Sequence, residues 1–377
     1  MTSSRKTDNH LGFTITEVMA KMPHMVAFIG PEAIEREQGH AFQARLGANE
    51  SGFGPSPRVL DAMRQAVGQT WMYGDPENYD LRAAIARHHG LAIDQVVVGE
   101  GIDGLLGLAA KIAIEPGTVV VTSDGGYPTF NFHVLANGGR LVKVAYRDDK
   151  EDLEALLEAA RREKAGVIYV ANPDNPMGTV WDQKAVDDFL SQVPQTTLVL
   201  WDEAYADTAD AGVIAPMVAN PPANVIRFRT FSKAYGMAGA RVGYGVGVSD
   251  VVSLLNRVRN DFGINRVGQI GALAALQDQD YLHDVTARIA SARQRLSAIA
   301  KDNNFVALAS ATNFVAIDCG RDGAYAMAIM QEVLSRDVFI RKPSGAGIDR
   351  CIRVSVGPDE DLEMFAQALR DAIGAVG

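Results

Sequence analysis

The sequence of 377 residues is poor in the residue types that form disulfides and metal sites. It has only two cysteines, Cys319 and Cys351, and each lies in an apolar run typical of a strand. We expect two small buried side chains in a reducing compartment rather than a disulfide. The seven histidines show no ligand spacing, and adjacent residues such as His88 and His89 point to different faces of a predicted helix. The sequence therefore predicts no metal site.

Long hydrophobic runs and excess positive charge are also missing. No apolar run approaches the roughly 18 residues that a membrane helix needs, so we expect no membrane partner. Glu17 and Lys21 lie where a signal peptide would be apolar, which favours a cytoplasmic location. The formal net charge of −10 argues against nucleic acid as a partner.

Apolar strand patterns alternate with helical patterns through the middle of the chain. Strands are predicted at 118–122, 140–145 and 167–170, and a helix is predicted at 152–164. Such alternation predicts an α/β fold, in which a largely parallel sheet carries helices on both faces.

Length and composition predict two closely associated domains. We expect a large domain over 71–275 and a smaller α+β domain built from 41–70 together with 276–377. Residues 1–40 are predicted to form an N-terminal arm that packs on the body or on a partner subunit. Within the arm we expect an amphipathic helix around 15–28 and a break at Gly30 and Pro31.

Lys233 is the most informative residue of the sequence. It follows the run 224–231, which is predicted to form a buried strand, so Lys233 is expected at the end of that strand, where open α/β sheets bind ligands. A desolvated lysine loses its proton readily, and the free amine forms a Schiff base with a carbonyl. Thr230, Ser232 and Arg241 could hold a dianionic group beside it. Alone, such a lysine is more often a solvated surface residue.

Two other predicted strands end in polar groups that would meet Lys233 at the same edge of the sheet. Asp202 follows the run 197–201, and a carboxylate there can stabilise a protonated pyridine nitrogen. Tyr205 lies three residues further on and could reach a phenolic oxygen. Asn175, in the proline-rich turn after the strand 166–170, could donate an amide hydrogen to that same oxygen.

A glycine-rich turn at 99–104 follows the run 95–98 and matches the dinucleotide-binding fingerprint, with Asp124 beyond it. That match alone is weak. A helix N-terminus with small residues binds the phosphate of any cofactor, so the amides of Ile102 and Asp103 would serve pyridoxal phosphate equally well.

These residues belong to eight motifs that occur in family order between residues 46 and 360. They are LGANESGFGPSP, YGDP, GEGIDG, YPTF, NPDNPMG, DEAY, TFSKAYGMAGARVGY and CIRVSVG. With them the chain resembles the fold-type-I, class I/II aminotransferases that depend on pyridoxal phosphate, within the histidinol-phosphate aminotransferase-like group. The resemblance implies a seven-stranded-type sheet in the large domain and a homodimer with shared active sites.

The resemblance also implies a role for each matching residue. Lys233 would bind the cofactor covalently, Asp202 would pair with its pyridine nitrogen, and Asn175 and Tyr205 would contact its ring hydroxyl. The phosphate would be held by Gly101, Ile102, Asp103, Thr230, Ser232 and Arg241. Phe130 stands at the ring-stacking position, Tyr73 would reach the partner subunit's phosphate, and Arg353 would bind the substrate's α-carboxylate as a bidentate fork.

Departures from the family pattern lie around the expected substrate entrance. Phe130 lacks a tyrosine's hydroxyl, while Gly74, Gly104 and Met177 replace a common proline, glutamate and threonine. Because of these departures the sequence does not identify the specific substrate, and this applies to histidinol phosphate as well.

Three further residues keep two interpretations each. Arg341 falls near a distal anion site but could equally be an exposed strand-end arginine. Asn49 and Glu50 could line the substrate pocket or cap a turn.

The expected reaction is transamination between an amino acid, or an amino-acid-like phosphate ester, and a 2-oxo acid. The Lys233 amine would move the α-proton as general base and acid. A lyase or decarboxylase on the same fold remains an alternative, because the sequence does not show which bond at the α-carbon is broken. A cofactor-sensing regulator is a second alternative, but it would need a DNA-binding module for which the leader leaves no room.

Overall fold

The computed structural model describes residues 13–23 and 29–377. The predicted amphipathic helix at 15–28 therefore lies partly outside the described residues. Within them, a short helix occupies Glu17–Lys21. Gly30, with an extended backbone, directly precedes the next helix, and Pro31 is the first residue of that helix. This outcome has a simple cause, because proline lacks only an amide hydrogen that the first turn of a helix leaves unbonded.

Thirteen α-helices are found in the described part of the chain. They are α1 Glu17–Lys21, α2 Pro31–Gln38, α3 Pro57–Val67, α4 Tyr79–His89, α5 Gly101–Ala113, α6 Pro128–Ala136, α7 Leu153–Glu163, α8 Gln183–Gln192, α9 Ser249–Val258, α10 Arg266–Leu276, α11 Gln279–Asp302, α12 Gly323–Leu334 and α13 Asp359–Val376. None of the helices described here is long and apolar enough to cross a membrane.

Twelve strands accompany the helices in the same described residues. They are β1 Ala44–Arg45, β2 Val96–Gly99, β3 Val119–Ser123, β4 Arg140–Val144, β5 Val167–Ala171, β6 Leu198–Asp202, β7 Val225–Thr230, β8 Gly243–Val246, β9 Val306–Ala307, β10 Phe314–Asp318, β11 Val338–Phe339 and β12 Cys351–Ser355. Short 3₁₀ turns lie at Ile93–Gln95, Ala206–Thr208 and Ala238–Ala240.

Seven strands form the main sheet in the order β2-β8-β7-β6-β5-β3-β4. The neighbours from β7 to β4 are parallel, whereas β8 runs antiparallel to both β2 and β7. The prediction of a mostly parallel α/β sheet is confirmed. Most residues of the strands are apolar because both faces of the sheet are covered, although β7 contains two arginines and the edge strand β4 contains an arginine and a lysine. Alternate strand residues such as Val120 and Val121 belong to different cores, one against α5, α6 and α9 and the other against α7 and α8.

A separate core lies in the C-terminal part of the chain. It packs α11, α12 and α13 around the three-stranded sheet β12-β10-β9, and Ala44 and Leu46 join it from the N-terminal side. Val59 of α3 packs instead in the core that contains β2, β8 and α10. The domain boundaries given above stay a prediction.

Candidate active site

A cavity of about 780 Å³ opens where the strands β5, β6 and β7 end. Parallel strands bring their carboxyl ends to one edge of the sheet, so side chains from distant parts of the sequence meet there. Of the predicted site residues, thirteen line this cavity: Asn49, Glu50, Ile102, Asp103, Asn175, Asp202, Tyr205, Thr230, Ser232, Lys233, Arg241, Arg341 and Arg353.

Lys233 extends into the cavity three residues beyond the end of β7. Its Nζ donates a hydrogen bond to the Asn49 carbonyl oxygen at 2.9 Å and lies 5.4 Å from the centre of the Tyr205 ring. Burial and the nearby Arg353 guanidinium together lower the pKa of Lys233 to about 8. The amine is therefore within reach of its neutral, nucleophilic form near neutral pH.

Gly236 lets the chain turn back directly after Lys233. Its φ is +70°, and a Cβ built on it would lie 2.3 Å from the carbonyl carbon of Gly54. A side chain at this position is excluded both by the left-handed backbone and by the contact.

Asp202 is the last residue of β6 and is only 5% exposed. Its Oδ1 accepts a hydrogen bond from the Ala204 amide at 2.9 Å, and its Oδ2 accepts one from the Tyr169 hydroxyl at 2.7 Å. Burial raises the pKa of Asp202 to about 6, while the Tyr169 and Ala204 bonds oppose that rise. The carboxylate is thus held in place without a cationic partner in direct contact, as a site for a protonated ring nitrogen requires.

Tyr205 and Asn175, the two residues predicted to contact the ring hydroxyl, are each held by a hydrogen bond from a neighbouring side chain. The Asn49 amide donates to the Tyr205 hydroxyl at 2.9 Å, and Arg353 Nη1 donates to Asn175 Oδ1 at 2.6 Å. Burial raises the pKa of Tyr205, so its hydroxyl keeps its proton. Asn49 lines the pocket, as one of its two interpretations predicted, and it also joins Lys233 to Tyr205.

The N-terminus of α5 and the Arg241 guanidinium form one end of the cavity. The N-cap residue Glu100 makes no side-chain hydrogen bond to the first turn of α5. Gly101 has φ +75°, and a Cβ on it would lie 2.5 Å from Arg241 Nη2, so glycine is required there. Arg241 Nη1 also approaches Ser232 Oγ at 3.4 Å. A helix N-terminus beside a guanidinium and a hydroxyl is a dianion site.

Three of the predicted site residues, Gly101, Phe130 and Tyr73, do not line the cavity of their own chain. Phe130 is fully buried and stacks on Tyr169, with ring centres 4.8 Å apart. The prediction that Phe130 stacks on the cofactor ring is therefore corrected. Phe130 lies inside α6 and faces the core, whereas Tyr127 immediately precedes that helix and lines the cavity. Tyr73 is 74% exposed and packs on Phe262.

Sequence reasoning missed Tyr127, Tyr169 and Lys342, all of which line the cavity. The sequence did point to Tyr169, because it is a tyrosine in the otherwise aliphatic strand β5. Burial raises the pKa of Tyr127 to about 12, so its hydroxyl is a donor at neutral pH.

Glu203 was missed as well. It is buried behind the site and binds both Arg227 and Arg229, which fixes the end of β6 against β7.

The chain belongs to the aminotransferase class I and II family, whose model matches residues 43–369. It is 34% identical over 345 residues to the histidinol-phosphate aminotransferase of Moorella thermoacetica, covering 91% of this chain and 88% of that protein. The crystal structure of histidinol-phosphate aminotransferase from Sinorhizobium meliloti, in complex with pyridoxal-5'-phosphate, is 50% identical. It superimposes with a TM-score of 0.94 over 99% of this chain and 100% of that one.

A more distant structure shares the fold alone. Aspartate aminotransferase from Thermus thermophilus, solved with maleate, is 20% identical and has a TM-score of 0.79 over 96% of this chain and 100% of that one. The fold-type-I prediction is confirmed, and the protein is an aminotransferase that uses pyridoxal phosphate. The dinucleotide interpretation of the glycine-rich turn is wrong, since β2 pairs antiparallel with β8 rather than opening a parallel βαβ unit.

The residues present fit that cofactor. A buried amine, a buried carboxylate and an uncapped helix N-terminus with a guanidinium occupy three separate parts of one cavity. They match the aldehyde, the ring nitrogen and the phosphate of pyridoxal phosphate, and the cavity volume is within the range of small-molecule sites.

Proposed function

We propose that this aminotransferase accepts an amino compound whose anionic group is either an α-carboxylate or a phosphate ester, with histidinol phosphate as the phosphate-bearing substrate. A 2-oxo acid would then take the amino group. The names of the similar proteins support histidinol phosphate. The observation that carries the proposal is a pair of arginines in the cavity wall.

Arg341 and Arg353 face each other across an antiparallel backbone bridge. The Arg341 amide donates to the Arg353 carbonyl oxygen at 3.2 Å, and the Arg353 amide donates to the Arg341 carbonyl oxygen at 2.6 Å. Residues paired in this way project their side chains to the same side. Burial and the Arg341 charge together lower the pKa of Arg353 to about 10. Because the charge of Arg341 lowers the pKa of Arg353, an anion bound beside the two guanidinium groups would be attracted to both.

The two arginines suit anions of different length. Arg353 forms no salt bridge with a carboxylate among the described residues, and its Nη1 is aligned by Asn175 near Lys233. It is therefore placed for an anion carried directly on the α-carbon. A phosphate ester extends two atoms further and carries more charge, so it would also engage Arg341 and the adjacent Lys342, both in the cavity wall.

The chain's own residues would then act in the following roles. Pyridoxal phosphate, when bound, supplies the electron sink for negative charge at the substrate's α-carbon. Lys233, in its neutral form, would remove the proton from the substrate's α-carbon as general base and then donate it as general acid. Asp202 keeps the charge on the ring nitrogen, while Arg353 fixes the substrate's orientation. Asn49 and Tyr205 hold the neutral Lys233 amine in place through the bonds described above.

Replacing Arg341 by alanine tests the substrate assignment. We expect kcat/KM for histidinol phosphate to fall by about 10- to 100-fold, the value of one or two charge-assisted hydrogen bonds. The kcat/KM for an α-amino acid should change less than about threefold, because Arg353 still binds the carboxylate. The measurement is steady-state kinetics with both substrates. Arg321→Ala is the matched control, since that arginine packs on Tyr325 away from the cavity. Equal losses with both substrates, or a wild type inactive on histidinol phosphate, would contradict the proposal.

The working unit is proposed to be a homodimer with shared active sites. Trp71 and Tyr73 are 83% and 74% exposed, and Tyr73 stacks on Phe262 with ring centres 4.5 Å apart. An exposed cluster of large aromatic side chains is typical of a protein interface. A two-fold axis would let Tyr73 complete the partner's phosphate site, so one residue serves both sites.

Subunit complementation tests the role of Tyr73. A Tyr73→Ala chain with intact Lys233 is mixed with a Lys233→Ala chain with intact Tyr73. If Tyr73 acts across the interface, the heterodimer contains one intact site, and activity should recover toward about half that of a wild-type dimer. If Tyr73 acts within its own chain, both sites stay damaged and no activity returns. Light scattering at the assay concentration provides the independent check, since a monomer would end the proposal.

A further inference from the structure

Tyr169 and Asp202 lie on neighbouring parallel strands in a register that brings their polar atoms together. Ala171 of β5 pairs with Asp202 of β6, and Tyr169 pairs with Leu200. Because alternate strand residues face the same side, Tyr169, Ala171 and Asp202 share one face of the sheet. The tyrosine side chain is long enough to bridge that diagonal, and its hydroxyl reaches Asp202 Oδ2 at 2.7 Å.

The Tyr169 hydroxyl is a permanent donor. The side chain is fully buried, and both burial and the Asp202 charge raise the pKa of Tyr169 well above its ordinary value. It cannot ionise at neutral pH and so donates to Asp202 throughout. A carboxylate has about four acceptor positions, of which the Ala204 amide and Tyr169 use two. The others remain available to a ring nitrogen in the cavity.

Charged and titratable groups surround Asp202 from several elements. Those that interact with it electrostatically are Tyr127, Glu151, Tyr169, Glu203, Tyr205 and Lys233. Glu203 and burial disfavour the ionised Asp202 carboxylate, and burial also raises the pKa of Glu151. Of the side chains that favour ionisation, Tyr169 is the one in hydrogen-bond contact.

Phe130 supports the Tyr169 ring from behind. The two rings are stacked at 26°, with centres 4.8 Å apart, and both side chains are fully buried. The ring of Tyr169 therefore has little freedom to move its hydroxyl away from Asp202. Phe130 acts on the site through Tyr169 and needs no hydroxyl of its own for this.

We propose that Tyr169 is a positioning residue that keeps Asp202 ionised and directed at the cofactor's ring nitrogen. The inference rests on the proposed role of Asp202 and adds a second residue to it. Removal of the Tyr169 hydroxyl should leave Asp202 a weaker partner for a protonated ring nitrogen, because a hydrogen bond to the charged form is lost.

The experiment compares Tyr169→Phe with wild type, using the full-length protein loaded with pyridoxal phosphate labelled with ¹⁵N in the ring. The ¹⁵N chemical shift reports the protonation of the ring nitrogen as a function of pH. In Tyr169→Phe we expect the nitrogen to lose its proton about one pH unit lower, and the half-reaction rate to fall about tenfold. Tyr244→Phe is the matched control, because it removes a buried hydroxyl that bonds His89 instead.

Asp202→Ala separates the inference from the role on which it rests. If Asp202→Ala shifts the ring-nitrogen titration and Tyr169→Phe does not, the Tyr169 inference is overturned while the role of Asp202 stands. If Asp202→Ala leaves the titration unchanged, the role of Asp202 is wrong and the inference falls with it. A shift in Tyr244→Phe equal to that in Tyr169→Phe would also overturn the inference, since loss of any buried hydroxyl would then suffice.

Discussion

Replacement of Lys233 by alanine is expected to lower the transamination rate by at least about 10⁴-fold, the upper range for loss of a general acid and base. The variant should still bind pyridoxal phosphate, because the phosphate and ring contacts remain, but the binding should become reversible on dialysis. Borohydride reduction of the loaded wild type, followed by peptide mapping, should place the label on Lys233. Lys150→Ala is the matched control, because that lysine is also partly buried but packs over Trp181.

The pKa of Lys233 adds a pH dependence to the same experiment. Attachment of pyridoxal phosphate to the cofactor-free protein requires the neutral amine. Since burial lowers the pKa of Lys233 to about 8, the attachment rate should rise about tenfold per pH unit below pH 8 and level off above it. An ordinary exposed lysine would not level off until above pH 10. A label on a different lysine, or a rate still rising at pH 10, would contradict the assignment.

The central sheet and its polar edge were predictable from local patterns. Each of β5, β6 and β7 is a short run of mostly apolar residues, and such runs have few alternatives to a buried strand. Once the strands are parallel, the residues that follow them must gather at one edge. This is why Lys233 and Asp202 could be placed together without any knowledge of the loops.

Details that depend on register or helix phase could not be predicted. Tyr169 contacts Asp202 only because β5 pairs with β6 in one particular register, which no short-range pattern specifies. Tyr127 rather than Phe130 reaches the cavity because α6 begins at Pro128 and turns Phe130 into the core. The bridge between Arg341 and Arg353 joins two segments whose pairing depends on the packing of the C-terminal core.

The proposed function of Asp202 has a cost in the stability of the fold. In the cofactor-free protein burial raises the pKa of Asp202 to about 6, so the folded state binds this proton more tightly than the unfolded state does. The free energy of unfolding therefore falls as pH rises from about 4 to 6, and the loss persists at higher pH. In the proposed role of Asp202, the ionised carboxylate offsets this cost by serving as the negative partner of the cofactor's ring nitrogen.

Asp202→Asn should therefore have opposite effects on catalysis and stability. We expect the half-reaction with an amino acid to slow by about 10²- to 10³-fold, the usual effect of removing one preorganised electrostatic contact. In the cofactor-free protein, the unfolding free energy of the variant relative to wild type should rise by about 2 kcal/mol from pH 4 to pH 7. Stopped-flow absorbance measures the first quantity, and urea unfolding at the two pH values measures the second.

Asp207→Asn is the control for the rate measurement. Asp207 is a partly buried carboxylate, but its partner is Arg229 and it does not line the cavity. It should leave the chemical step nearly unchanged, so a large loss of rate in both variants would point to general damage. A fall of less than about tenfold in Asp202→Asn, roughly 1.4 kcal/mol of barrier, would mean that Asp202 does not stabilise the charged ring. If the unfolding free energy of Asp202→Asn relative to wild type does not change between pH 4 and pH 7, burial does not raise the pKa of Asp202. The Asp202 charge would then not destabilise the fold.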